Sequence, residues 1–83
     1  LGENDLSSKV SLFPNPATES FAVVTDGIQI QKIEMMNLAG QIIKIEANGG
    51  EVVKLDVANV SSGVYLVKIY SAEGTTTKQL VIK

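Results

Sequence analysis

The sequence predicts an all-β domain, an immunoglobulin-like antiparallel β-sandwich of about seven strands. Three observations predict it. Apolar residues recur with a period near two far more often than near 3.6. Val and Ile dominate the apolar set, joined by Thr in the last third, and β-branched side chains suit a pleated, half-buried surface. Turn-forming clusters punctuate the chain at close spacing: Pro14-Asn15-Pro16, Thr25-Asp26-Gly27, Ala39-Gly40, Asn48-Gly49-Gly50, Ser61-Ser62-Gly63 and Ala72-Glu73-Gly74.

Residues 1–8 are polar and aperiodic, so 1–9 is expected to be a linker tail and 10–83 a single domain. The first strand, 10–13, ends at Phe13-Pro14-Asn15-Pro16, where two prolines remove two backbone donors. The second, 20–25, turns Phe21 and Val23 inward, and the third, 29–37, turns in Ile33 and Met35. Asn37-Leu38-Ala39-Gly40 reads as a tight hairpin turn with Gly40 at positive φ. The fourth strand, 41–47, is expected to send Ile43 and Ile45 to the core. Asn48-Gly49-Gly50 reads as a second hairpin connection, into a fifth strand over 51–57 that buries Val53, Leu55 and Val57. A single helical turn is expected over 57–62. The last two strands, 63–71 and 75–83, bury Tyr65, Val67, Ile69, Leu80 and Ile82. Val64, Leu66 and Val81 fall on the opposite faces, and a strand apolar on both faces is central or has one face covered by a partner.

Composition narrows the function classes. A chain of 83 residues buries only about 60–65% of the surface its unfolded form exposes. With 45% apolar residues and a net charge of −2 it is not a disordered segment. Its seven lysines form no basic cluster and it has no arginine, so nothing supplies the basic stripe that nucleic acid requires. Its longest apolar runs are a few residues, against the roughly 20 of a spanning helix. Without cysteine there is no disulfide, thiolate site or cysteine nucleophile. Without histidine the commonest general base and the imidazole metal ligands are missing. Glu34, Glu51 and Asp56 are the carboxylates that remain for acid–base work, and their spacing gives no signal. Ser7-Ser8 and Ser61-Ser62 have no partner base. Asn48-Gly49-Gly50-Glu51 has no helix after it to cradle a phosphate. Asn4-Asp5 and Thr25-Asp26 are too isolated for a calcium loop. No catalytic, metal or cofactor residue is assigned, no cofactor is expected, and an enzyme is the least favoured class. The chain starts at Leu1 rather than Met and is expected to be a fragment of a longer protein.

Val60-Ser61-Ser62-Gly63-Val64-Tyr65 carries more. A Tyr just inside a strand after a corner packs its ring in the core and returns its hydroxyl to upstream backbone, the tyrosine corner of Greek-key sandwiches. Gly63 lets the chain turn sharply before that strand. The pieces then fall in an order. Leu12-Phe13-Pro14-Asn15-Pro16-Ala17 comes near the start, Ile33 to Gln41 follows, Leu55-Asp56-Val57 leads into the Gly63-x-Tyr65 opening, and Lys78-Gln79-Leu80-Val81-Ile82-Lys83 ends the chain. Over about 10–83 this closely resembles the C-terminal sorting domain of type IX secretion cargo proteins, the Por secretion system of Bacteroidota. Ala58 stands where that family often has Ser, Val60 where Leu is common and Gln79 where Lys is frequent.

The resemblance implies a domain that does no chemistry and serves as an address. It implies an N-terminal cargo domain in the same polypeptide, and export across the inner membrane and then the outer membrane. The partners it implies are the type IX outer-membrane translocon or shuttle and a sortase-like cysteine peptidase. The cargo then reaches the cell surface or the medium. Residues expected to be read by the translocon are Lys78, Leu80, Val81, Ile82 and Lys83, because a terminal strand with an open edge is a template for pairing. The same edge makes a weak dimer an expectation. Lys78 and Lys83 are expected to guard it against self-association, and cleavage is expected within 2–8. Pro14, Asn15, Pro16, Gly40, Gly63 and Tyr65 are expected to be architectural. The competing readings are a carbohydrate- or protein-binding sandwich on a surface enzyme, and a spacer. Four aromatic residues supply a sugar platform poorly.

Overall fold

The computed structural model describes residues 9–14, 16–47 and 49–83. Seven strands follow in chain order: β1 (Val10–Phe13), β2 (Ser20–Thr25), β3 (Ile30–Met36), β4 (Ile42–Glu46), β5 (Val52–Asp56), β6 (Gly63–Ser71) and β7 (Gly74–Ile82). They form a three-stranded sheet in the order β1-β2-β5 and a four-stranded sheet in the order β4-β3-β6-β7. Every strand pair is antiparallel. This is the immunoglobulin-like sandwich that the alternating pattern predicts, and no helix occurs among the described residues.

Alternation builds the core. Phe21, Val23, Val53 and Leu55 project from the smaller sheet, and Ile33, Met35, Tyr65, Val67, Ile69, Leu80 and Ile82 from the larger. Each such side chain contributes roughly 1.5–3 kcal/mol when fully buried. Ala17, in the β1–β2 connection, and Ile28 and Ile30, in and just after the β2–β3 crossing between sheets, join the same cluster. The buried Thr25 hydroxyl donates to the Ile28 carbonyl at 2.6 Å, which removes the penalty of an unpaired buried polar group.

Three expectations are corrected. Ile43 and Ile45 are not core residues; they are 41% and 53% exposed. β4 is the edge of the wider sheet, and the sheet facing it has only three strands. A bulge opposite Met35 and Met36 adds Ile43 to β4, and the resulting register sets Ile45 beside Glu34 on the outer face. Gly49 and Gly50 do not close a hairpin, because β4 and β5 lie in different sheets; Asn48 is outside the described residues. The segment instead crosses between sheets, where the Ile30 amide donates to the Gly50 carbonyl at 2.9 Å. Residues 57–62 form no helix. A four-residue turn closes there, with the Val60 amide on the Val57 carbonyl at 3.0 Å and the Ala58 amide on Asp56 Oδ1 at 2.9 Å.

Candidate functional site

The corner that opens β6 is built as its residue types demand. Tyr65 is buried, and its hydroxyl donates to the Ser61 carbonyl at 2.6 Å. Gly63 has φ of 155°, a conformation that L side chains rarely adopt, so the chain bends into the strand without strain. Gly40 has φ of 89° in the β3–β4 hairpin turn, where Asn37 Oδ1 accepts from the Ala39 and Gln41 amides.

The terminal strand is not left with the open end that the sequence suggests. β7 is the edge of its sheet, but Ala17 bridges it in parallel at Ile82. The Ala17 amide donates to the Val81 carbonyl and the Lys83 amide donates to the Ala17 carbonyl, both at 2.8 Å. The segment that carries Ala17 across follows the cis Phe13–Pro14 bond and the exposed Pro16; Asn15 lies outside the described residues. The last turn of the edge is therefore closed from within the chain, and the expected template for a partner strand or a dimer at 80–83 is already occupied.

The five residues expected to be read do not share a face. Leu80 and Ile82 are core residues, 0% and 2% exposed. Lys78 pairs with Val67 and follows the core-facing series of Thr76 and Leu80; an inward charge on an edge strand discourages further pairing. Val81 is half-buried on the outer face and Lys83 is exposed.

Register brings Val81 together with residues that sequence alone did not assign to a site. Val64 lies opposite Val81, Leu66 lies between Gln79 and Met36, and Met36 lies opposite Ile42. The result is an apolar belt across the outer face of the four-stranded sheet. Leu38, 67% exposed, stands in the turn at its margin. The apolar outward positions Val64 and Leu66 were the visible signal; Met36 and Ile42 needed the register.

The other half of that face is polar. Lys32 Nζ is 3.2 Å from Glu34 Oε2, and the Tyr70 hydroxyl donates to Glu34 Oε1 at 2.9 Å. The Lys32 and Lys68 ammonium groups stand 4.5 and 5.2 Å from the Tyr70 ring centroid, within cation–π range. The Tyr70 hydroxyl first, and then Lys32, hold the Glu34 carboxyl below its ordinary value. Glu34 belongs to the larger sheet whereas Glu51 and Asp56 adjoin or end β5 in the smaller one, so these carboxylates do not converge. Among the described residues no three metal-ligating side chains gather. An open groove of about 510 Å³ beside β5 is lined by Glu19, Ser20, Lys54, Asp56 and Ala58, and Asp56 spends one oxygen on its turn.

A corner-tied sandwich whose distinctive features lie on a sheet face defines an immunoglobulin-like domain that presents a surface. Comparison with known proteins then gives the family: the model described as Secretion system C-terminal sorting domain matches residues 11–83, and the chain belongs to that family. It is a type IX sorting signal for an exported protein bound for the cell surface or beyond. Among curated proteins, an endo-acting ulvan lyase of Formosa agariphila is 30% identical over 80 residues, covering 94% of this chain and 16% of that protein. An ulvan lyase of Nonlabens ulvanivorans is 25% identical over 63 residues, covering 75% of this chain and 12% of its own length. The chain thus spans less than a fifth of the curated relatives it matches. Among solved structures, PorZ of Porphyromonas gingivalis, described as a surface component of the type IX secretion system, superposes with a TM-score of 0.74 at 18% identity. That match covers 99% of this chain and 12% of PorZ, and it supports the fold.

Proposed function

We propose that the sorting signal is read on the outer face of the four-stranded sheet, at Val64, Leu66 and Val81, with Lys83 at its end. One observation carries this reading. Of the terminal residues, Leu80 and Ile82 are committed to the core, whereas Val81 is continuous with an apolar belt that no other layer covers among the described residues. An apolar patch rimmed by charge is the ordinary form of a protein-docking surface. The reader is the type IX outer-membrane translocon or its shuttle, met in the periplasm after passage through the inner membrane. The sortase-like peptidase then cuts within 2–8, ahead of the folded domain, and the cargo is released or attached to an anionic lipopolysaccharide. The two relatives make a polysaccharide-degrading enzyme the first cargo to try.

The test is a fusion of a signal peptide, a fluorescent protein and this chain, expressed in a type IX-competent host and in a translocon mutant. Surface or released fluorescence in the competent host alone is the expected result. Equal export from both hosts contradicts the reading. Mass spectrometry of the released reporter places the cut, and a cut inside the Phe21–Ile82 core contradicts the assignment of the tail.

A further inference from the structure

The opposite edge of the same sheet carries a second surface. β4 presents Ile42, Ile43 and Ile45 at 48%, 41% and 53% exposure within five residues. Three exposed isoleucines invite pairing, while Lys44 and Glu46, at the inner-face positions opposite Met35 and Ile33, are charges that guard an edge against any partner that does not match them. No strand pairs with the outer side of β4 among the described residues.

The direction of each backbone group on β4 follows from the hydrogen bonds at the far edge. Val81 and Lys83 turn their backbone groups out to Ala17, so Leu80 and Lys78 turn theirs to β6. Carried through the registers, Leu66 and Lys68 bond to β3, while Ile33 and Met35 bond to Glu46 and Lys44 of β4. Ile45 is left with its amide and carbonyl facing away from the sheet.

We propose that β4 pairs antiparallel with β4 of a second copy of this chain, across a two-fold axis at Ile45. Two four-stranded sheets become one of eight strands. This register sets Lys44 of each copy opposite Glu46 of the other, giving two charge pairs, with Ile45 beside Ile45 on the outer face. Opposite charges and aliphatic neighbours are the favourable cross-strand pairs. The competing registers lack this match. An axis at Lys44 opposes two ammonium groups. An axis at Ile43 falls on the bulge and forms no charge pair. A contact of one short strand belongs with small interfaces of under about 1,200 Å², so the dimer is weak and reversible. The pairing residues, Lys44 to Glu46, are distinct from the Val64, Leu66, Val81 and Lys83 proposed for sorting, although the apolar belt reaches β4 at Ile42, and substitutions at each set test the two proposals separately.

Sedimentation velocity over a concentration series of the 83-residue chain tests this. The wild type is expected to show a monomer–dimer equilibrium that weakens with salt. Lys44→Glu and Glu46→Lys each oppose like charges and raise the dissociation constant roughly tenfold or more. Mixing the two single variants restores association as a heterodimer, and the K44E/E46K double variant restores it alone. Both sites are on an edge outside the core, and circular dichroism confirms that each variant is folded. A wild type that stays monomeric up to its solubility limit overturns the proposal. So does a mixture of the single variants that fails to associate. A dimer unmoved by either charge change but lost in Leu66→Lys also overturns it, placing the contact on the outer belt.

Discussion

At the scale of single residues, two hydroxyls do distinguishable work. Tyr65 ties the corner before β6 to its core through the Ser61 carbonyl. Tyr65→Phe keeps the ring and removes that bond, at a net cost of about 1 kcal/mol, since Ser61 is exposed and water can take the vacated acceptor. For a domain of this size the melting temperature is expected to fall by about 4–8 °C, and a calorimetric scan checks it. Tyr70 acts on charge instead. Its hydroxyl and Lys32 hold the Glu34 carboxyl below its ordinary value of 4.5. A depressed folded-state value means that the contribution is present above the unfolded value and drains away as pH falls through the folded one. Melting curves at descending pH are therefore expected to show an acid-side loss that Glu34→Gln lacks. An identical acid limb in both proteins contradicts that assignment. The corner was legible in the sequence because Gly-x-Tyr after a polar turn has a mechanical meaning. The Tyr70–Glu34 pair was not, because those residues are 36 apart and only the register of β3 against β6 sets them together.

At the scale of elements, strand extents were readable and strand environments less so. Period-two alternation located β1, β2 and β6 to the residue and the rest to within one, because each runs from a turn cluster to the next. β4 shows the limit. Ile42, Ile43 and Ile45 carry the same apolar signal as a core strand, yet a bulge and an edge position turn them outward. Gly49 and Gly50 announce a reversal but not the change of sheet. The Ala17 clamp on β7 had no signal, since one alanine bridging a residue 65 positions on forms no pattern. The clamp is testable. Ala17→Pro removes the amide that bonds the Val81 carbonyl, and hydrogen exchange at the Lys83 amide is expected to accelerate as the end of β7 frays. Unchanged exchange at Lys83 contradicts the pairing. Burial also changes how the terminal strand has to be tested. Leu80→Ala is expected to cost about 2–5 kcal/mol as a cavity in the core, whereas Val81→Lys on the outer face costs far less. Deleting 80–83 removes core residues and the proposed address together, so a reporter lost after that deletion does not separate unfolding from failed recognition.

At the scale of the whole molecule, the sandwich divides its labour between sheets. The three-stranded sheet closes the core. The four-stranded sheet does so with one face and presents the other, with an apolar belt toward the end of β7 and an exposed isoleucine edge at β4. Family membership establishes that the chain is a sorting signal, and the belt is where its fold leaves a surface that stability does not explain. The decisive comparison is export of the reporter fused to the wild-type chain against the same fusion carrying Leu66→Lys and Val81→Lys, with folding of both verified by thermal melts. The account predicts that the doubly substituted domain stays folded and its reporter accumulates in the periplasm. A folded variant exported at the wild-type rate contradicts it and removes the outer face as the address.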